Sequence, residues 1–100
     1  MNIAASLYNL GKYVEAEAIS KQTVHLQEIT LGKDHLGTLM NMKILALSLC
    51  RQGKCIEAEK IYRQTLLLKE IKLGKDHPDT LESMNSLAES LRQQGMYAAA

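Results

Sequence analysis

The chain repeats itself with a period of 42 residues. Leu31-Gly32-Lys33-Asp34-His35 returns unchanged as Leu73-Gly74-Lys75-Asp76-His77, and Gly11-Lys12 returns as Gly53-Lys54, with Gly95 one period further on. Between these anchors Glu15-Ala16-Glu17 matches Glu57-Ala58-Glu59, Gln22-Thr23 matches Gln64-Thr65, and Thr38-Leu39 matches Thr80-Leu81. One structural unit is therefore used more than once, and each copy must find burial beside its neighbour.

The unit reads as two helices. Leu81, Met84, Leu87, Ala88 and Leu91 have the three-and-four spacing of one helical face. The same face recurs as Leu39, Met42, Leu45, Ala46 and Leu49, and begins again at Ile3, Ala4 and Leu7. This is helix A. A second run, helix B, carries Ile56, Ala58, Ile61, Tyr62, Thr65, Leu66, Leu68 and Leu73, matched by Val14, Ala16, Ile19, Thr23, Val24, Leu26 and Leu31. The glycines separate the helices: Gly11, Gly53 and Gly95 mark one boundary and Gly32 and Gly74 the other.

Local chemistry agrees. Glu15, Glu17, Glu57 and Glu59 suit the positive end of helix B, and Lys33 or Lys75 follows its negative end. Glu17 with Lys21 and Glu59 with Arg63 are pairs four apart on the exposed side. Pro78 precedes helix A, and Asp79 with Glu82 has capping-box spacing. The middle copy has Leu36, Gly37 and Met40 there, so its helix A is expected to fray more. Ala4, Ala46 and Ala88 recur where helices of a hairpin approach closely, and are expected to be packed.

These residues resemble the tetratricopeptide repeat. The local matches are Leu87-Ala88-Glu89-Ser90-Leu91 with Gly95-Met96-Tyr97, and Gly53-Lys54-Cys55-Ile56-Glu57-Ala58. The usual unit is about 34 residues. The longer helix B and connection, ending in Leu-Gly-Lys-Asp-His-Pro-Asp-Thr, resemble the 42-residue variety of kinesin light chains and nephrocystin-type proteins. The resemblance implies an all-α fold, a right-handed superhelix of antiparallel hairpins. It divides residues 1–100 into a partial repeat at 1–37, a complete one at 38–79 and a partial one at 80–100, so the chain is expected to be cut from a longer array.

In that family helix A lines a groove that binds extended peptides. The matching positions here are Asn2, Ala5, Tyr8 and Asn9, then Met40, Lys43, Ile44, Leu47, Cys50 and Arg51, then Glu82, Asn85, Ser86, Glu89, Arg92 and Gln93. From these the resemblance implies Asn2, Tyr8, Asn9, Lys43, Leu47, Arg51, Glu82, Asn85, Ser86, Glu89 and Arg92 as the ligand-contacting set, with Lys43, Arg51 and Asn85 foremost. The asparagine with which relatives hold a peptide carboxylate is present as Asn2 but replaced by Ile44 and Ser86, so a carboxylate clamp is not expected.

No other chemistry emerges. Twelve Lys and Arg against eleven Asp and Glu leave a formal charge of +1, too little to draw in a nucleic acid or an anionic membrane. His35 and His77, one period apart, read as loop histidines making local or helix-capping bonds, and with His25 they do not converge on a metal. Gly-Lys never occurs within a phosphate-binding loop, and no serine stands in a nucleophile elbow. Cys50 and Cys55, five apart, are neither a disulfide framework nor a metal knuckle, and read as small apolar residues kept reduced in the cytoplasm. The expectation is a non-catalytic, cofactor-free protein-interaction module within a larger adaptor or sensor, binding a peptide or protein segment. The alternative is a self-assembly module, a homo-oligomer joined through exposed solenoid ends.

Overall fold

The computed structural model describes the backbone of residues 2–99 and the side chains of residues 2–95. Met1 and Ala100, where the expected outer units begin and end, and the side chains of Met96 and Tyr97 lie outside the described residues. Five helices follow one another: α1 (Ile3–Asn9), α2 (Tyr13–Thr30), α3 (Leu36–Arg51), α4 (Cys55–Leu73) and α5 (Pro78–Ala99). There is no strand among the described residues. Short turns fold α2 back on α1 and α4 back on α3, and α5 lies against α4. The result is an all-α stack of antiparallel hairpins measuring 40 × 30 × 18 Å.

The repeated loop is closed by its own side chains. His35 and His77 are helix N-caps: Nδ1 accepts from the amide of Gly37 at 3.0 Å and from that of Asp79 at 3.1 Å. The hydroxyls of Thr38 and Thr80 donate back to the carbonyls of Gly32 and Gly74, at 2.9 and 2.8 Å. Gly, His and Thr recur together because each closes one bond of this loop. The capping role expected of the histidines is thus present, and the expected capping box is not. Pro78 is already the first residue of α5, which places Asp79 inside its first turn. α3 starts with the same cap, so the two starts are alike and α3 has no special reason to fray.

The core centres on α3. Leu45, Ala46, Leu49 and Cys50 pack with Cys55, Ala58 and Tyr62 of α4, and Leu39 and Met42 form a second cluster with Val24 of α2. Its opposite side buries Thr38, Asn41, Ile44 and Ser48, toward the preceding hairpin. α5 buries the same opposite side, Thr80, Ser83 and Ser90. Its apolar stripe, however, is exposed: Leu81 is 47% accessible where Leu39 is 1%. Ala88 is likewise exposed rather than packed, with no helix over it among the described residues. Val14 and Ile56 also face solvent; α4 buries Cys55, Ala58, Tyr62 and Thr65, and a residue one step along a helix turns about 100° away.

Two expectations about local order are corrected. Glu17 does not close the pair with Lys21 but reaches the next hairpin, accepting from Gln52 Nε2 at 2.8 Å and lying 3.6 Å from Lys54 Nζ. Glu59 keeps its Arg63 partner at 2.7 Å and also accepts from Gln94, the counterpart of Gln52. Gly95 is not a boundary: α5 runs through it to Ala99. Gly11 and Gly53 turn at φ of 81° and 85°, the left-handed region that favours glycine, and each turn is held by the helix folding back beyond it. At Gly95 the α-helical ladder continues instead.

The two glycines therefore predict opposite effects at one repeat position. A Cβ at either meets nothing within 4 Å, so backbone conformation alone decides. Gly53→Ala should lower stability by about 1–2 kcal/mol. Gly95→Ala should raise it by up to about 1 kcal/mol. Urea denaturation of both variants measures the difference.

Candidate functional site

α1, α3 and α5, the A-type helices, lie side by side and are tied by polar contacts. Asn2 Nδ2 donates to Asn41 Oδ1 at 3.0 Å, and Arg51 Nε donates to the Tyr8 hydroxyl at 3.1 Å. Lys43 is ion-paired with Glu82 across α3 and α5, and its hydrogen bond and charge hold the Glu82 carboxyl below the ordinary carboxylate range. Glu89 is lowered in the same way by Arg92, one turn along α5.

Between α3 and α5 these helices leave a cleft of about 280 Å³. Leu47, Cys50 and Tyr62 supply apolar and aromatic surface, while Arg51, Glu82, Asn85, Ser86, Glu89, Ser90 and Gln93 supply polar groups. Six of the residues implied by the sequence meet here: Leu47, Arg51, Glu82, Asn85, Ser86 and Glu89. Lys43 and Tyr8 adjoin the cleft through Glu82 and Arg51, and Arg92 through Glu89. Asn9 is exposed at the end of α1. Asn2 lies apart: its Oδ1 caps α1 by accepting from the Ala5 amide at 3.0 Å, and its Nδ2 is spent on Asn41.

Most of the charged groups are thus already answered by one another. Asn85 is the exception; it is exposed and its amide makes no hydrogen bond among the described residues. An unspent amide offers a donor and an acceptor on one rigid group, the pairing that an extended backbone presents in reverse. The sequence reading missed Tyr62 and Ser90. Tyr62 comes from a B-type helix, and its apolar spacing marked it only as core; Ser90 sits on the face turned to the preceding hairpin.

The cysteines are also corrected. Cys50 ends α3 and Cys55 begins α4, and the tight turn at Gln52–Lys54 sets their Cα atoms 4.2 Å apart and joins them as a disulfide. A separation of five says nothing of pairing until the turn is known. Cys50 lines the cleft, with Gln93 Oε1 2.8 Å from its Sγ, while Cys55 lies in the core. Among the described residues no three His, Cys, Asp or Glu side chains are grouped to hold a metal ion, and no helix is long and apolar enough to cross a membrane.

Burial pushes the Tyr62 phenol up to about 12, with the nearby Tyr8 adding to the rise and Arg51 opposing it. The folded-state value lies above the ordinary 10.0, so the neutral phenol's contribution is whole below pH 10 and is lost as pH climbs toward 12. Comparing the stability of the parent with Tyr62→Phe from pH 9 upward should show a difference that grows by about 2 kcal/mol over that window. Thiol titration under denaturant should find no free thiol before reduction and both cysteines after it.

The sequence matches the family model for the tetratricopeptide repeat at residues 1–66 and again at 40–100. No curated protein matches it. Among solved structures it is similar to the nearly identical TPR-like repeats of a Podosopora anserina protein assigned as a kinesin light chain, with a TM-score of 0.83 and 26% sequence identity. A point variant of that protein gives the same values. The alignment covers 94% of this chain and 44% of the other, so the chain spans less than half of its structural relative. Tandem matches of one repeat model over the whole length, on hairpins that superimpose on kinesin-light-chain-type repeats, mean that this chain belongs to the tetratricopeptide repeat family.

Proposed function

We propose that the chain is a non-catalytic interaction module that holds an extended peptide or protein segment in the groove lined by its A-type helices. Tetratricopeptide repeats generally mediate protein–protein interaction. The observation that supports this groove is the cleft between α3 and α5, where apolar surface from Leu47 and Tyr62 lies beside the unspent amide of Asn85. A side chain of the ligand enters the cleft while Asn85 takes its backbone, with Ser86 and Arg51 beside it. The net charge of +1 and the mutual pairing of Lys43 with Glu82 and Arg92 with Glu89 favour a peptide over a nucleic acid.

The setting we propose is a larger adaptor or sensor in the cytoplasm, with repeat units at 1–37, 38–79 and 80–100. The Cys50–Cys55 bridge would there be held open by the thiol pool. Self-assembly is a second reading, favoured by the exposed stripe of α5.

Selection of a randomised peptide library against the chain, followed by titration of the enriched peptides, tests the groove. Asn85→Ala should weaken saturable binding about tenfold, from loss of two hydrogen bonds of roughly 0.5–1.5 kcal/mol each. It should leave thermal stability unchanged, and Ile56→Ser, on the far side of α4, should leave binding unchanged. Enriched peptides indifferent to Asn85→Ala and Arg51→Ala would place the contact elsewhere.

A further inference from the structure

The turn between α3 and α4 carries a bridge that the fold does not need. At the repeat positions of Cys50 and Cys55 the first copy has Tyr8 and Tyr13, whose ring centroids meet 5.3 Å apart. The backbone of the two turns is the same. The amides of Gly11 and Lys12 donate to the carbonyls of Tyr8 and Leu7 at 3.0 and 2.9 Å, and those of Gly53 and Lys54 donate to Cys50 and Leu49 at 3.0 and 2.9 Å. The first turn holds this shape with no sulfur in it. The ring closed in the second copy joins residues only five apart, and so short a ring takes little freedom from the unfolded chain. Opening it should therefore leave the hairpin folded.

Both sulfurs have an acceptor in place for the open form. Gln93 Oε1 lies 2.8 Å from Cys50 Sγ, and the Cys50 carbonyl oxygen lies 3.6 Å from Cys55 Sγ. While the bridge is closed neither sulfur has a proton to give; as thiols, each donates to the oxygen beside it. Their surroundings differ. Cys50 lines the cleft between α3 and α5, whereas Cys55 is 2% accessible and is the first residue of α4, at the positive end of that helix.

We propose that Cys50 and Cys55 form a reversible thiol–disulfide site for a small disulfide of the glutathione class, entered from the cleft through Cys50 and coupled to the cleft by Gln93. In closing, the Cys50 thiolate attacks one sulfur of the small disulfide, expels a thiolate and forms a mixed disulfide. Cys55 then attacks Cys50 Sγ and expels the second thiolate. Two electrons pass from the cysteines to the small disulfide, and their two protons go to the two expelled thiolates. In reopening, a small thiolate attacks Cys50 Sγ, and Cys55 departs as a thiolate favoured by the positive end of α4. Gln93 changes role between the states. Its Nε2 donates to Glu89 Oε1 at 3.3 Å, so in the open form its amide is held between the Cys50 thiol and Glu89. In the closed form its oxygen loses that donor and is left to whatever occupies the cleft. This last consequence alone rests on the peptide-groove reading; the exchange chemistry does not.

The chain equilibrated at neutral pH with glutathione mixtures from fully reduced to fully oxidised, acid-trapped, alkylated under denaturant and weighed by mass spectrometry tests the site. A single transition from two free thiols to one bridge is expected, with the same helical circular dichroism at both ends. Gln93→Met removes the acceptor for the Cys50 thiol and should move the balance toward the bridge about threefold, the loss of one weak hydrogen bond. Asn85→Ala, in the same cleft, should not move it. With oxidised glutathione, Cys55→Ser should gain a mixed disulfide on Cys50 faster than Cys50→Ser gains one on Cys55. If a serine variant unfolds, the parent and Gln93→Met still decide. A pair that stays bridged, or stays open, across the whole series overturns the proposal, as does loss of the helical signal on reduction. Faster capture by Cys55 overturns the entry route, and equal balances in the parent and Gln93→Met overturn the link to the cleft. No peptide enters these measurements, so their failure leaves the groove reading standing, and failure of the groove reading leaves them unaltered.

Discussion

Burial of α3 on two sides holds the molecule together. Its apolar stripe goes into α4 and its small polar side goes against the preceding hairpin. Each fully buried Leu or Met contributes about 1.5–3 kcal/mol relative to exposure. α3 carries four such side chains on one stripe, whereas α5, with the same residues, leaves most of them wet. The contrast separates what the amino-acid pattern can do from what a neighbour allows. Two helices with the same apolar stripe differ in burial because, among the described residues, only α3 lies between two others.

The groove depends on this arrangement indirectly. With the apolar stripe committed to α4, the residues on the remaining edge of α3 and α5 are free to be polar, and they meet across the seam as Lys43 with Glu82 and Cys50 beside Gln93. These contacts fix the distance between the two helices and so the width of the cleft. Tyr62, arriving from α4 behind them, gives the cleft an aromatic surface without leaving the core.

The period, the helix pairs and the fold class were all legible in the residues, because a 42-residue repeat with three-and-four apolar spacing admits few other arrangements. The histidine caps were legible as a role but not in their geometry; Pro78 as first helical residue displaced the Asp79 capping box by one turn position. Three further features could not be read from residue spacing. Glu17 prefers Gln52 over Lys21 because the next hairpin arrives beside it. Gly95 lies within α5, where its repeat counterparts Gly11 and Gly53 turn. The Cys50–Cys55 bridge follows from how tightly α3 turns into α4, which residue spacing alone does not convey. Of the groove residues on α3 and α5, all but Lys43 and Arg92 line the cleft, while Asn2 was claimed by the cap of α1.

The seam between α2 and α3 has a mechanical character of its own. Ser20 and Ser48 are fully buried in the stack, yet each hydroxyl is satisfied by the carbonyl one turn back in its own helix, at 2.7 and 2.8 Å. They fill space without gripping the helix opposite. Glu17, Gln52 and Lys54 supply the grip at the turn end of the hairpins, and Asn41 Nδ2, donating to Gln27 Oε1 at 3.0 Å, supplies it toward the other end. The seam is therefore fastened toward both ends and smooth between them, like a strap held by two rivets. With both ends held, the two hairpins keep a set angle, and with it the curvature of the superhelix and the gape of its groove, while the serines between them bond only within their own helices.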